Sequence, residues 1–293
     1  MSRVSKVVAM RKTIFLFLFC LLTLSGVFAQ GAKSAFFTTS DGVRIHYLSA
    51  GQGSPIVFIP GWTMPAWIWQ NQLDEFSQKY RVIAVDPRSQ GESDKPTQGH
   101  LPETRARDYK ELVDHLGLKK PVLVGWSMGC AELLKYAEVF GTENVAGLVL
   151  VDGYITEKPE LEMYTGIAGW MNQLQQDRRR QAEGFVRHMY KKPQPEEYIQ
   201  RVIQASMRVP ADTAVTLIYN MLAVDYAKSF TRVTCPVLFI YQPESEAAAT
   251  FLKSKLGDRL REQRMEGVGH ALFVDDPGKF NSVLRGFLQS LAN

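Results

Sequence analysis

From residue 35 onward the chain alternates short apolar runs with longer stretches in which apolar residues recur every three or four positions. Ala35–Thr39 and Val43–Leu48, separated by Asp41-Gly42, read as an opening hairpin. Four runs follow, Ile56–Ile59, Arg81–Val85, Val122–Val124 and Ala146–Val151, and their near-continuous hydrophobicity suits strands covered on both faces. Helical spacing predicts helices over 67–78, 103–116 and 128–140; the first turns Trp69, Leu73 and Phe76 inward. After Asp152 the rhythm changes. Residues 153–234 carry no strand pattern and read as an insertion of three or four helices. The alternation then resumes with a strand over Val237–Tyr241, a helix over Ala247–Leu256, a strand near Arg261–Met265 and a final helix over Pro277–Leu291. This predicts an α/β fold, a mostly parallel eight-stranded sheet flanked by helices, with helices inserted after the sixth strand. The core would be residues 30–152 and 235–293, and the insertion 153–234.

The start of the chain has a different character. Arg11-Lys12 precedes an apolar run from Ile14 to Leu24, and Val27 and Ala29 supply small residues at a cleavage position. This is the pattern of a signal peptide, 1–29, cut after Ala29, and it predicts a secreted or periplasmic protein. The run falls short of the ~20 residues of a spanning helix, so a membrane would be a partner only through an uncleaved signal. Met10 offers an alternative start with a more compact leader. The leader also explains the basicity. Arg3, Lys6, Arg11 and Lys12 are four of 34 basic residues, and removing them leaves 30 against 30 acidic ones. A neutral body gives no reason to expect nucleic acid. Of the cysteines, Cys130 and Cys235 lie beyond the leader, at opposite ends of parallel strands, too far apart to pair; two free, buried thiols are expected.

Gly125-Trp126-Ser127-Met128-Gly129 follows one predicted strand and opens a helix. A G-x-S-x-G sequence in that setting makes a turn tight enough to require glycine and raises the serine hydroxyl above the strand ends, at a helix N-terminus that favours developing negative charge. Ser127 is therefore the candidate nucleophile. Of five histidines, only His270 follows the last strand on a glycine-flanked loop, where it could take the serine proton and return it to a leaving group. No metal or cofactor is expected, because H-E-x-x-H, paired Cys-x-x-Cys and G-x-G-x-x-G patterns are missing.

With these residues in place, the chain resembles the α/β-hydrolase superfamily, in its capped serine esterase and haloperoxidase-like carboxylesterase group. Ile56-Val-Phe-Ile-Pro-Gly61-Trp62 is similar to the family's oxyanion segment, Asp86-Pro-Arg-Ser-Gln-Gly-Glu-Ser93 to its D-x-R-G-x-G-x-S turn, and Gly267-Val-Gly-His270 to its histidine motif. The resemblance implies an oxyanion hole made by the amides of Trp62 and Met128, with Pro60 where the family usually has histidine. It also implies an acid for His270, and here the sequence departs. The usual position after the strand Val237–Tyr241 holds Ser245, flanked by Glu244 and Glu246; Asp152, ending the strand before the cap, occupies a location used in some relatives. Asp152, either glutamate, or a dyad without an acid all remain open at this point. Trp62 and Met128 would shape an apolar acyl pocket, and Tyr219, Met221 and Leu222 could roof it. The Asp86–Ser93 turn reads as structural, with Asp86 and Arg88 bonding backbone. The expected activity is hydrolysis of a small, largely apolar carboxylic ester through an acyl-enzyme. The alternatives are lactone or carbon–carbon bond hydrolysis by the same residues, or a weakly active protein that binds a small ligand. A serine nucleophile argues against the branches that use aspartate. Neither substrate identity nor oligomeric state can be read.

Overall fold

The computed structural model describes residues 31–156, 161–224 and 226–291, so the expected leader lies outside the described residues. The fold below is that of the unit from Gly31 onward. Eight strands form one sheet: β1 (Lys33–Thr38), β2 (Arg44–Ala50), β3 (Pro55–Ile59), β4 (Arg81–Val85), β5 (Val122–Trp126), β6 (Gly147–Val151), β7 (Val237–Tyr241) and β8 (Leu260–Arg264). Their spatial order is β1-β2-β4-β3-β5-β6-β7-β8. β1 and β2 pair antiparallel, β2 joins β4 antiparallel, and every other pairing is parallel. β5, β6 and β7 are buried along their whole length, as continuous apolar runs require. β8 buries Leu260 and otherwise presents Arg, Glu and Gln, the polar surface expected at a sheet edge.

The core helices are α1 (Gln70–Phe76), α2 (Pro102–His115), α3 (Met128–Phe140), α9 (Glu246–Leu256), α10 (Leu272–Asp275) and α11 (Pro277–Ser290). The segment expected to be one helix over 67–78 is instead a 3-10 turn at Ala66–Trp69 followed by α1. Pro65 opens that turn, and the break lets Trp69 stack on Phe273 at 3.9 Å between ring centroids. Trp69, Leu73 and Phe76 are all buried. Between β6 and β7 lie α4 (Leu161–Gln176), α5 (Arg178–His188), α6 (Glu196–Met207), α7 (Ala211–Leu222) and the single turn α8 (Tyr226–Ser229), one more helical segment than the spacing suggested.

Strand register determines where chemistry can occur. Ile59 pairs with Gly125, Trp126 with Val151, and Val151 with Ile240, so β3, β5, β6 and β7 end at one level. The loops beyond those carboxyl ends converge, as is general for ligand sites in open α/β sheets.

Candidate active site

Ser127 is the first residue past β5 and the N-cap of α3. Its backbone lies at φ 56°, ψ −118°, a conformation that costs a non-glycine residue of order 1–3 kcal/mol and persists only when its surroundings enforce it. Here Ser127 N–H donates to Val151 O at 2.9 Å and Cys130 N–H to Ser127 O at 2.9 Å, pinning the turn to β6 and to α3. Thr63 (φ 61°) and Asp152 (φ 45°) also have positive φ, so three loops at the same end of the sheet carry backbone strain.

The segment after β3 crosses directly over Ser127. A Cβ on Gly61 would stand 3.0 Å from the Cβ of Ser127 and 3.3 Å from the Trp126 ring, closer than ordinary contact permits. The amides of Trp62 and Met128, at the loop after β3 and the first turn of α3, have no backbone or side-chain acceptor among the described residues. Two unpartnered N–H groups beside a strained serine are what a developing oxyanion needs.

His270 Nδ1 stands 2.7 Å from Asp152 Oδ2. An ionised carboxylate only accepts, so Nδ1 carries the proton and Nε2 is the free acceptor. The other donors to Asp152 come from the loop after β7: Gln242 N–H to Oδ1 at 3.2 Å, Gln242 Nε2 to Oδ2 at 3.0 Å and Ser245 Oγ to Oδ1 at 2.7 Å. The side chain at the position usual for the acid thus holds the displaced acid in place. Glu246 pairs with Arg264 instead, and Glu244 is exposed beside the cleft that His270 borders. No hydrogen bond joins Ser127 Oγ to His270 in this structure; such contacts commonly tighten only when substrate binds.

Further contacts, none evident from sequence, fix these residues. Trp126 Nε1 donates to His270 O at 2.9 Å and its ring lies 5.2 Å from the imidazole. Asp275 accepts from Gly269 N–H at 2.7 Å and from Lys191 N–H at 2.8 Å, tying the histidine loop to the end of α5. That approach requires glycine at 269, where a Cβ would meet Met189 O at 2.6 Å. Gln90 donates to Gly61 O at 3.0 Å and Met64 O at 2.8 Å, and its Oε1 accepts from Arg105 Nη2 at 3.0 Å. Arg105 is in turn ion-paired with Glu132, one turn along α3 from Met128, and Glu132 also accepts from Tyr109. A buried relay therefore joins the two segments that carry the unpartnered amides. The Asp86–Ser93 turn does bond backbone through Asp86, which accepts from Ala66 N–H and Glu92 N–H. Arg88 differs from expectation, because it pairs with the carboxylates of Asp108 and Asp41.

The apolar wall beside Ser127 is formed by Trp62, Met128, Met171, Leu174, Leu217 and Leu222. Met221 packs against it, but Tyr219 is exposed and does not roof it. The pocket beside Met128 and Leu217 holds only about 10 Å³, whereas a cleft of about 400 Å³ opens next to His270, bounded by Gln242, Glu244, Lys191 and His188. Cys130 and Cys235 are both free and buried. Among the described residues no group of three or more His, Cys, Asp or Glu is placed to hold a metal. A second file of the same residue types exists: Ser34 Oγ lies 2.8 Å from His46 Nε2, and His46 Nδ1 2.7 Å from Asp86 Oδ2. Ser34 sits on an exposed strand paired to β2, away from any helix N-terminus.

A sheet of this order, a serine on a strained strand–helix turn and a histidine backed by a carboxylate define a hydrolase-type site. Residues 56–283 match the alpha/beta hydrolase family, and the chain belongs to it. It is 41% identical over 117 residues to a non-heme haloperoxidase of Rhodococcus erythropolis, a match covering 40% of this chain and 43% of that protein. It is 22% identical over 265 residues to the AB hydrolase superfamily protein YisY of Bacillus subtilis (strain 168), covering 87% of this chain and 99% of that one. Among solved structures, an esterase from Exiguobacterium antarcticum superposes with a TM-score of 0.81 over 88% of this chain and all of its own, at 24% identity. That likeness shows the fold.

Proposed function

We propose that the protein is a serine hydrolase of carboxylic esters, acting through an acyl-enzyme. Ser127 Oγ attacks the ester carbonyl while His270 Nε2 takes its proton, and Asp152 stabilises the imidazolium and keeps its tautomer. The amides of Trp62 and Met128 receive the oxyanion; such a donor contributes about 3–4 kcal/mol to the transition state. His270 then returns the proton to the leaving alkoxide, and a water deprotonated by the same nitrogen releases the acid. The observation that carries this reading is the 2.7 Å contact between His270 Nδ1 and Asp152 beyond a serine held at positive φ. The apolar wall favours a small, largely apolar acyl group over a polymer.

Fluorophosphonate labelling tests it. The wild type should be labelled and Ser127→Ala should not; an unlabelled, folded wild type would refute the reading. We further propose export: the mature protein begins at Gln30 in a secreted or periplasmic location. N-terminal sequencing of the protein recovered outside the cytoplasm should start at Gln30, and an intact leader there would contradict the proposal.

A further inference from the structure

Arg178, the first residue of α5, is a cation without a counter-ion among the described residues. Its Nη2 donates to Ser206 O at 2.8 Å, at the C-terminal end of α6, and lies 3.4 Å from Ser206 Oγ. Ser206 Oγ in turn is 2.8 Å from Thr63 Oγ1, in the residue after Trp62. The guanidinium carbon lies 5.7 Å from the centroid of the Trp62 ring. Nε and Nη1, which carry three of the five N–H donors, are buried and meet no acceptor among the described residues. The acid next to Arg178 is committed elsewhere, since Asp177 accepts from Arg180 N–H as the cap of α5. Burial lowers the Arg178 pKa to about 10 with no anion opposing it.

This arrangement is more than a helix cap needs. One neutral donor would satisfy the carbonyl at the end of α6, and a buried, unpaired guanidinium is costly unless something accepts from it. The Trp62 backbone faces the oxyanion, while its ring, walled edge-on by Trp170 and Phe185, carries Arg178. Trp62 therefore links the two: its amide lies at the serine and its ring carries the cation, so a chain whose carbonyl is held by that amide reaches Arg178 along the Trp62 ring once the packed wall of Met128, Met171 and Leu217 gives way. The methionines let that wall yield to a guest.

We infer that Arg178 anchors a carboxylate at the far end of the substrate's acyl chain, so that the preferred ester has an apolar middle and an anionic terminus. This rests on the serine-hydrolase reading and names its substrate class. Nitrophenyl hemiesters of α,ω-diacids of increasing length test it, each against the analogue whose terminal carboxylate is a carboxamide. At the best length the wild type should prefer the acid-terminated ester in kcat/KM by about 10-fold or more, and Arg178→Gln should lower that ratio by roughly 10–100-fold, the loss expected for hydrogen bonds to a charged group. Arg178→Lys should retain part of the preference. A wild-type ratio of one or less at every length overturns the inference, and so does an Arg178→Gln variant that slows both esters equally. If Arg178→Gln does not fold, Arg178→Lys decides: a lysine variant that loses part of the acid preference supports the anchor, and one whose acid-to-amide ratio equals the wild type's overturns it. Fluorophosphonate labelling separates the two levels. A labelled enzyme without the preference loses only the anchor, whereas an unlabelled one loses the hydrolase reading itself.

Discussion

The acid beside His270 shows most clearly how much a single residue determines here. Asp152 is 2% exposed and has three hydrogen bonds from Gln242 and Ser245 besides its contact with His270. Asp152→Asn keeps the shape but offers an N–H where His270 Nδ1 needs an acceptor, so the imidazole turns to the wrong tautomer. Turnover of an activated ester should fall by about 10³–10⁴, and a loss under tenfold would return the role to Glu244 or Glu246. Ser245→Ala removes one donor and leaves two from Gln242, so its cost should stay near the ~1 kcal/mol of an ordinary hydrogen bond, below tenfold in kcat. The Ser34–His46–Asp86 file bears on the same question of what makes a serine reactive. Its hydrogen bonds are formed, yet Ser34 has no helix N-terminus behind it and the Asp86 carboxylate already serves Ala66 and Glu92. Ser127→Ala should therefore abolish all fluorophosphonate labelling, and residual label on Ser34 would show that hydrogen bonding alone can activate a serine. Ser127 and His270 stand out in the sequence as candidates because their local settings, a G-x-S-x-G turn and a Gly-flanked loop, are written in adjacent residues. The sequence offered Asp152 only alongside Glu244 and Glu246, because Asp152 and the Gln242–Ser245 loop that bonds it are about ninety positions apart and meet only through β6–β7 pairing.

At the scale of elements, the two amides proposed as oxyanion donors, those of Trp62 and Met128, belong to different segments, and their separation is set by whatever joins the β3 loop to α3. Gln90, Arg105 and Glu132 do so, and all three are fully buried. Gln90→Leu preserves volume but strips donors from Gly61 O and Met64 O and an acceptor from Arg105. With buried partners left unsatisfied at about 1–3 kcal/mol each, the loop should relax. The expected result is a 10–100-fold fall in kcat with KM changed little, because an oxyanion hole acts on the transition state more than on the bound ester. A rise in KM alone would assign Gln90 to substrate binding. The same contrast governs what the chain disclosed at this scale. Apolar runs located β3, β4, β5, β6 and β7 to within a few residues, since burial on both faces leaves an unbroken signature, whereas the polar edge strand β8 showed only in the resumed alternation. The 3-10 turn at Ala66–Trp69 was invisible, because Trp69 keeps helical spacing with Leu73 and Phe76 across the junction with α1, and its stacking on Phe273 is a contact made only in the fold. Gln90 reads in sequence as a polar residue in a turn, and only the fold reveals that it is enclosed.

Across the whole molecule, the inserted helices and the sheet meet at the histidine loop, and Asp275 is the group that joins them. Its carboxylate is 6% exposed, accepts from Gly269 N–H on the sheet side, and accepts from Lys191 N–H and Gln194 Nε2 (3.1 Å) on the other. A parallel bond runs from Ala271 N–H to Met189 O at 2.9 Å. Position 269 must stay glycine for this approach, so the junction is set by close backbone packing as well as by charge. Asp275→Ala would leave two backbone N–H groups without their acceptor, that of Gly269 in a buried position. Each lost bond to a charged group is worth about 1.5–3 kcal/mol, which for a protein of this size corresponds to a fall in Tm of roughly 6 °C or more. The His270 loop would lose its tether at the same time, so kcat should drop along with stability. Asp275→Asn separates the two possible causes. Its carbonyl can still accept both backbone N–H groups, and Gln194 can rotate its amide to present oxygen to the new N–H₂. If hydrogen bonding holds the junction, the asparagine variant should keep most of the Tm and most of kcat while the alanine variant loses both. If both variants lose kcat equally while only alanine loses Tm, the negative charge itself acts on His270, and Asp275 is an electrostatic partner of the imidazole rather than a latch between the inserted helices and the sheet.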